Sequence, residues 1–314
     1  MSQASTAVVF ESPGKLSVRQ VSLPNIDDDD CLVEVSYSGI STGTERLLWD
    51  GSMPAFPGLQ YPLVPGYESV GRVIEAGPDA NLLPSQAVFI PGSRGFTDVA
   101  GVFGGAAKYL VVPSKRLIPL PANPQDSSVL LALAATAVHA IRRCGTNLAP
   151  ELVIGNGVLG RLIARCSNAL FDNKVTFWET DPSRQNNEGF SVYTESTDDR
   201  RDYRVVIDVS GDHRIIDQAV AHMASGATLV LAGFYHDTLH FEFAQAFMRE
   251  VSINVASEWQ HDDIQTAANL IAQRSIVLDD LVTHRYPATE AATAYHEAFN
   301  NPNCLKTILD WSVL

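Results

Sequence analysis

A glycine-rich turn near the middle of the chain constrains the fold more than any other feature. The apolar run 152–154 leads into Gly155-Asn-Gly157-Val-Leu-Gly160, and a helical pattern covers residues 158–170. Gly155 permits a tight turn, Gly157 lets the backbone approach a pyrophosphate, and Gly160 lets helix and strand pack closely. Because the turn follows a strand and opens a helix, it predicts a dinucleotide-binding site rather than an ordinary βα turn.

The residues around this turn indicate which dinucleotide is bound. The N–H groups of Val158 and Leu159, at the helix N-terminus, offer partial positive charge to the phosphates. A second strand-like run ends at Glu179, about 20 residues beyond the turn, where a carboxylate accepts from both ribose hydroxyls. Since this carboxylate would repel a 2′-phosphate, NAD is favoured over NADP. Asp181 is the alternative acid, and Arg184 nearby weighs against the preference.

Strands and helices alternate through the central region, which predicts an α/β fold with a parallel, doubly wound Rossmann sheet over residues 126–274. An apolar helical pattern at 129–143 precedes the turn. The further segments are strands 175–179, 204–210, 227–233 and 251–256 and helices 214–223 and 262–273.

The remaining residues predict a β-rich domain of irregular, barrel-like form. Before residue 125, short runs of alternating apolar and polar residues are separated by glycine and proline. The last residues of the chain carry the patterns of one helix and one strand. We therefore expect one discontinuous domain, 1–125 plus 275–314. Its clearest segments are strands 31–37, 69–77, 87–90 and 108–113, helix 288–299 and strand 305–311.

Composition excludes several classes of partner. The formal net charge is −14, whereas a nucleic-acid partner would require a basic stripe. The most apolar stretch, 129–141, is too short to span a bilayer, and the N-terminus lacks a signal pattern. Four scattered cysteines indicate neither a disulfide framework nor a metal site. A cytoplasmic protein is expected, with the acidic run 27–30 as a solvated turn.

Several stretches, in this order along the chain, resemble the medium-chain dehydrogenase/reductase superfamily. They are Val64-Pro-Gly-Tyr-Glu68, Gly104-Gly-Ala-Ala-Lys-Tyr109, Thr136-Ala137, the glycine turn, Asp208-Val-Ser-Gly211 and Lys306-Thr-Ile-Leu309. The resemblance covers nearly the whole chain. It implies a GroES-like catalytic domain into which the Rossmann domain is inserted, a nicotinamide cofactor and a homodimer.

A closer likeness is to a branch of this superfamily that acts on tetrapyrroles. The matching stretches are Ser38 to Trp49, Tyr61 to Glu68, Gly155 to Leu162 and Phe247 to Glu250. The likeness implies a chlorin or bacteriochlorin substrate, whose 3-(1-hydroxyethyl) group is oxidised to acetyl in bacteriochlorophyll a synthesis. The residues alone indicate only an alcohol/ketone oxidoreductase.

The zinc ligands of the superfamily's zinc-dependent branch are replaced in this chain. Its cysteine and histidine positions hold Ser41 and Tyr67, and its third ligand would fall at Ala132. Serine, tyrosine and alanine do not make a tetrahedral zinc site. We therefore expect no metal. A carbinol attached to a large conjugated ring spreads developing positive charge into the macrocycle, so less charge must be stabilised at oxygen.

Hydroxyl groups are then the candidates for handling the proton. Ser41, Thr44 and Tyr67 are predicted to be catalytic, with Glu68 or Glu45 as proton acceptor or orienting group. The alternative is that the glutamates and Thr44 brace the β domain and that Tyr67 is a packed aromatic. His139, on an apolar helix, is interpreted as a core residue rather than a catalyst.

Further cofactor contacts are expected at the carboxyl edge of the sheet, where ligands of open α/β folds bind. Ser210-Gly211 and Gly233-Phe234 end predicted strands there. The superfamily resemblance implies that Thr136 contacts the nicotinamide end.

The stretch 49–61 is a Gly/Pro-rich loop with large apolar residues. It is interpreted either as a loop held by its own aromatics or as a wall for a flat ligand, and the wall is favoured. Trp49, Phe56 and Tyr61 are the substrate-binding candidates. Arg46 or Arg94 can receive a propionate of the pigment.

Two rival functions remain open. A zinc-free quinone or enoyl reductase would share the fold, but such enzymes generally use NADPH, which Glu179 opposes. A non-catalytic NAD(H)- or pigment-binding protein would share it too, because fold alone does not determine function.

Overall fold

The computed structural model describes residues 4–121, 123–185, 189–235 and 238–314. The chain divides into two compact units, Met1–Leu130 with Leu278–Leu314, and Leu131–Val277. The first unit is therefore built from both ends of the chain. Its first segment ends at Leu130 rather than at residue 125, because the 3-10 turn Asp126–Leu130 packs on strands of this unit, and its second segment begins at Leu278 rather than at residue 275.

The elements alternate irregularly along the chain. The strands are β1 (Ala4–Ser12), β2 (Lys15–Ser22), β3 (Asp30–Ile40), β4 (Leu63–Val64), β5 (Ser69–Ala76), β6 (Ala87–Ile90), β7 (Ala100–Gly101), β8 (Tyr109–Pro113), β9 (Ile118–Pro119), β10 (Leu152–Ile154), β11 (Thr176–Trp178), β12 (Ser191–Tyr193), β13 (Tyr203–Asp208), β14 (Met223–Leu231), β15 (Ser252–Val255), β16 (Val282–Pro287) and β17 (Lys306–Asp310). The helices are α1 (Thr44–Asp50), α2 (Leu131–Arg142), α3 (Val158–Phe171), α4 (Ile215–His222), α5 (Phe243–Met248), α6 (His261–Ala272) and α7 (Ala291–Asn300).

The first unit consists of two sheets around a main apolar core, with a smaller apolar cluster of Leu23, Leu32 and Val111 beside it. In the described residues, one sheet has the order β2-β1-β4-β7 and the other β16-β17-β3-β5-β6-β9, with β8 also paired to β3. Strand β3 carries the predicted alternating run 31–37, and Cys31, Val33 and Val35 point into the core. The tail strand β17 pairs antiparallel with β3, Thr307 opposite Ile40. This pairing brings the C-terminal residues beside the segment that follows β3.

The second unit contains a parallel sheet of the order β12-β11-β10-β13-β14-β15. The chain starts at the central strand β10, moves outward to β12, and crosses back to β13, which confirms the predicted doubly wound α/β fold. The sheet is covered by apolar side chains such as Leu152, Val206 and Leu229. Strand β12 was not predicted, because its three residues are too short for a periodic signal.

Several predicted segments differ in extent from the structure, and strand β14, for example, begins at Met223 rather than at residue 227. Helix α7 begins at Ala291, after a 3-10 turn at Ala288–Glu290, rather than at residue 288. Residues 44–50 form the helix α1, so Trp49 belongs to a helix and not to a loop. None of the helices in the described ranges is long and apolar enough to cross a membrane.

Candidate active site

Three predicted catalytic hydroxyls lie together at the end of β3. The Oγ of Ser41, just beyond β3, is 2.7 Å from the Oη of Tyr67. The Tyr67 hydroxyl also lies within 3.3 Å of the Oγ1 of Thr44, at the start of α1. We call Ser41, Thr44 and Tyr67 the hydroxyl cluster. It offers both a hydrogen-bond donor and an acceptor to a bound oxygen.

Tyr67 is suited to donate rather than to lose its proton. Burial raises the pKa of its phenol above the usual range, and the nearby Glu68 carboxylate raises it further. Its hydrogen bonds to Ser41 and Thr44 only partly oppose this shift. The side chain therefore remains a neutral phenol at neutral pH.

Glu45 is buried beneath the cluster, with 1% of its surface exposed. One carboxylate oxygen accepts from the Ser41 backbone N–H at 3.0 Å. The other accepts from the hydroxyl of Tyr295, on α7, at 2.5 Å. Burial raises the Glu45 pKa to about 7, although these two hydrogen bonds oppose the rise. The carboxyl group is thus poised to exchange a proton near neutral pH.

Glu68 forms a fully buried ion pair with Lys306 of β17. The Lys306 ammonium also donates to the Ile40 carbonyl at 3.0 Å. Lys306 contacts the Oε2 of Glu68, whereas the Oε1 has no hydrogen-bond partner in the part of the chain that the structure describes. A Cβ at Gly39 would lie 2.5 Å from the Glu68 carboxylate and 2.8 Å from the Lys306 Cε, so any side chain there would force the ion pair to shift.

Sequence reasoning assigned neither Lys306 nor Tyr295 to the candidate site. The available signal was a lysine at the start of the short strand Lys306–Asp310, because a lysine in a strand that packs in a core is almost never fully buried unless it is paired. Tyr295 gave no signal, since an aromatic on a helix is ordinarily a core residue.

The residues at the superfamily's zinc positions do not fit that metal. Ser41 and Tyr67 are hydrogen-bonded to each other, and Ala132 of α2 has only a methyl group. No group of three or more His, Cys, Asp or Glu residues in the described ranges can hold a metal ion. Zinc prefers thiolate, imidazole and carboxylate ligands.

The glycine turn of the second unit fits a dinucleotide pyrophosphate. Gly155 has φ of +102°, which favours glycine. A Cβ at Gly160 would lie 2.0 Å from the Gly155 carbonyl oxygen, so helix α3 requires glycine for its close approach. At Gly157 the nearest atom to such a Cβ is the Arg184 Nη1, 3.8 Å away. Val158 and Leu159 form the partly exposed first turn of α3.

Glu179 follows β11 and is already oriented by backbone donors. Its Oε2 accepts from the Asn156 N–H and its Oε1 from the Asp181 N–H, both at 2.9 Å. Each oxygen keeps a further lone pair for a ribose hydroxyl. Asp181 instead caps the next turn by accepting from Ser183, which lowers its pKa. Glu179 is therefore the better placed of the two predicted acids.

The predicted contacts at the carboxyl edge of this sheet lie close together. A Cβ at Gly233 would be 3.1 Å from the Gly211 nitrogen. The Ser210 N–H donates to Asp208 at 3.0 Å, and the Tyr235 hydroxyl donates to the same carboxylate. Burial raises the pKa of Asp208. Sequence reasoning did not anticipate the Tyr235 contact.

Thr136 and His139 lie on α2 of the same unit. The Thr136 hydroxyl donates to the Ala132 carbonyl at 3.0 Å, and the side chain is partly exposed. His139 is buried with its Nδ1 2.9 Å from Asp263, which Arg142 also contacts. This arrangement supports the interpretation of His139 as a core residue.

The structure separates the two arginine candidates for a substrate carboxylate. Arg94 contacts the acidic turn, 2.8 Å from Asp30, 3.4 Å from Asp27 and 3.5 Å from Asp29. Asp30 is fully buried rather than solvated as expected. Because these carboxylates already neutralise Arg94, its predicted use for a propionate does not fit. Arg46 is exposed on α1.

The aromatic residues of the predicted wall have different surroundings. Trp49 packs edge-on against Phe10 of the core, with ring centroids 5.5 Å apart. Tyr61 donates its hydroxyl to the Leu48 carbonyl and is partly buried. Phe56 is 41% exposed. Packing in the core thus accounts for Trp49, and Phe56 is the one of the three predicted aromatics that stays open to a ligand.

Comparison with known proteins adds an independent finding. Residues 27–122 match the family described as alcohol dehydrogenase GroES-like domain. The chain is 45% identical over 313 residues to 2-desacetyl-2-hydroxyethyl bacteriochlorophyllide A dehydrogenase of Cereibacter sphaeroides, with 98% of each chain covered. An Escherichia coli alcohol dehydrogenase complexed with NADH matches with a TM-score of 0.85 at 20% identity, covering 98% of this chain and 99% of that one. A Sinorhizobium meliloti dehydrogenase bound to NADP matches with a TM-score of 0.81 at 21% identity and the same coverage.

Proposed function

Because the chain belongs to the medium-chain dehydrogenase/reductase superfamily, whose dehydrogenases act on hydroxyl groups with a nicotinamide cofactor, we propose a specific reaction for it. The protein oxidises the 3-(1-hydroxyethyl) group of a bacteriochlorophyllide to 3-acetyl, with NAD as hydride acceptor and without zinc, in bacteriochlorophyll a synthesis. The name of the 45% identical relative supports the substrate. The observation that carries the zinc-free chemistry is the hydroxyl cluster beside buried Glu45, since two of its members, Ser41 and Tyr67, stand where the zinc-dependent branch has metal ligands.

The proposed reaction removes a hydride from the carbinol carbon and a proton from its oxygen. The nicotinamide, when bound, accepts the hydride. Tyr67 and Ser41 hold the substrate oxygen, since Tyr67 keeps its proton and donates a hydrogen bond. Glu45, whose pKa burial raises to about 7, is the carboxylate proposed to take up the released proton, and its contact with the cluster is the hydrogen bond it accepts from the Ser41 backbone N–H. Lys306 holds Glu68 as an ion pair, so that Glu68 stays outside the proton transfer.

The substrate itself supplies what the absent metal would supply elsewhere. Zinc normally stabilises the alkoxide that forms as the alcohol loses its proton. In a carbinol attached to a conjugated macrocycle, positive charge at carbon is delocalised into the ring. General acid–base assistance, typically worth ~10²–10⁴ in rate, then suffices.

NAD is proposed on the arrangement of Glu179. Its two oxygens are fixed by backbone N–H donors, and each can still accept from one hydroxyl of a ribose diol. A 2′-phosphate would face this carboxylate, which disfavours NADP. Arg184 is part of the same site but forms an ion pair with Asp181 at 3.9 Å.

The experiment is a spectroscopic assay of metal-stripped protein with NAD and a 3-(1-hydroxyethyl) chlorin. The expected result is a shift of the pigment bands together with the appearance of NADH, with no gain on adding zinc. Recovery of activity only with added zinc would refute the zinc-free mechanism. Reduction of a quinone or enone with NADPH would favour the reductase alternative, and binding without NADH formation would favour a non-catalytic protein.

A homodimer is proposed through the edge of the second unit's sheet. Strand β15 ends the sheet on one side, and Val255 on it is 65% exposed. Phe243 and Phe247, 69% and 64% exposed on α5, border a groove that β15 continues. Exposed apolar patches of this kind typically mark protein interfaces. Light scattering should give twice the chain mass, and Phe243→Glu with Phe247→Glu should give monomers.

A further inference from the structure

Phe103 lies beside the hydroxyl cluster in a backbone conformation that phenylalanine rarely adopts. Its φ is +68°, a region in which the Cβ of an L residue crowds the following carbonyl oxygen. Gly104 continues with φ of +67°, where glycine is under no such penalty. A bulky residue in this region is a genuine outlier, and such outliers cluster at functional sites.

The backbone around Phe103 is held on both sides. The Ser93 N–H donates to the Phe103 carbonyl at 2.8 Å, and the Ser93 hydroxyl donates to the Gly104 carbonyl at 3.2 Å. The Gly105 N–H donates to the Gly66 carbonyl at 2.8 Å, immediately before Tyr67. These bonds maintain the strained conformation and fix Phe103 relative to Tyr67.

The ring of Phe103 is not used to fill the core. It is 39% exposed, whereas Phe10 and Phe89 of the same unit are fully buried. Its centroid lies 5.2 Å from that of Tyr67, with an interplanar angle of 64°. An open aromatic ring is therefore fixed next to the phenol that, in the proposed function, holds the substrate oxygen.

We propose that Phe103 is a substrate-binding residue that packs on the conjugated ring bearing the carbinol, an inference that rests on the proposed function. In the substrate, the macrocycle is bonded directly to the carbinol carbon. When Tyr67 holds the carbinol oxygen, the edge of the macrocycle therefore comes to lie beside Phe103. Aromatic pairs are favoured beyond the area they bury. The face of a phenyl ring also attracts the positive charge that spreads into the macrocycle during hydride loss. Phe103 thus selects alcohols on a flat conjugated ring over aliphatic alcohols.

The test compares two substitutions that separate the ring from the backbone conformation. Phe103→Asn removes the ring but keeps a residue that tolerates positive φ, and Phe103→Leu keeps an apolar side chain without the ring. Phe171→Leu, equally exposed at 39% in the second unit, is the matched control. Titrating 3-acetyl bacteriochlorophyllide a into the full chain without NAD, followed by pigment absorbance, gives the Kd.

Both Phe103 variants should raise this Kd roughly 3- to 10-fold, while Phe171→Leu should not change it. Urea unfolding should show Phe103→Asn to be at least as stable as the wild type, because the strain is relieved. Unchanged Kd in both Phe103 variants, with or without a loss of stability and turnover, would make Phe103 only a brace for Tyr67 and would leave the proposed function intact. Failure of the wild type to bind the pigment would overturn both.

Discussion

At the residue scale, the Tyr67 hydroxyl joins the other two members of the hydroxyl cluster. We predict that Tyr67→Phe lowers kcat about 10- to 100-fold, because it removes the hydrogen bond to the substrate oxygen, and a hydrogen bond to a charged group typically contributes ~1.5–3 kcal/mol. NADH affinity should be unchanged, since Tyr67 lies in the first unit and the glycine turn in the second. Steady-state kinetics with NADH fluorescence titration measure both quantities. Tyr37→Phe, outside the cluster, is the control, and unchanged turnover in Tyr67→Phe would remove it from the mechanism.

The raised pKa of Glu45 predicts how the rate of oxidation depends on pH. Its pKa is raised to about 7 by burial, and it must be deprotonated to accept the proton. The rate should therefore be low below pH 6, rise through pH 7 and level off near pH 8. Glu45→Gln should abolish this rise and lower kcat across the range. A pH–rate profile that keeps the same midpoint in the variant would assign the titration to another group.

At the element scale, two glycines of the turn between β10 and α3 are expected to have different roles, one in helix packing and the other in cofactor contact. Gly160→Ala places a methyl group against the Gly155 carbonyl, and overpacking of this kind typically costs ~1–3 kcal/mol. Gly157→Ala meets only the Arg184 side chain, so stability should be kept while the pyrophosphate is blocked. Calorimetric Tm and NADH titration distinguish the two effects. Normal NADH binding by Gly157→Ala would contradict the predicted cofactor site.

The helices and strands predicted from local sequence were mostly correct where the hydrophobic pattern extended over enough residues. Helix α3 and strand β13 lie within a residue or two of their predicted ranges. The wall of aromatics at 49–61 was less predictable, because Trp49 lies on α1 and packs on Phe10. A tryptophan suits a core and a ligand site equally, and only its neighbours decide between them.

At the scale of the whole molecule, the ion pair between Glu68 and Lys306 links the two chain segments that form the first unit. Lys306→Met leaves a buried carboxylate without its partner, which typically costs ~3–5 kcal/mol. The double variant with Glu68→Gln should recover most of this loss, because no uncompensated charge remains. Urea unfolding at neutral pH measures both, and Lys115→Met, at an exposed position, is the control. An equally unstable double variant would show that packing, not charge, is responsible.

The sequence by itself determined the glycine turn and the doubly wound sheet. The signal of the turn lies within about 30 consecutive residues, and that of the sheet is a repeated alternation of strands and helices in which each step is local. Only the tertiary structure decided which groups surround the two buried carboxyl groups near the hydroxyl cluster, Glu45 and Glu68. Tyr295 reaches Glu45 across 250 residues of chain, and Lys306 reaches Glu68 because β17 pairs with β3. Burial and pairing of such distant groups depend on the packed core, which no local spacing specifies.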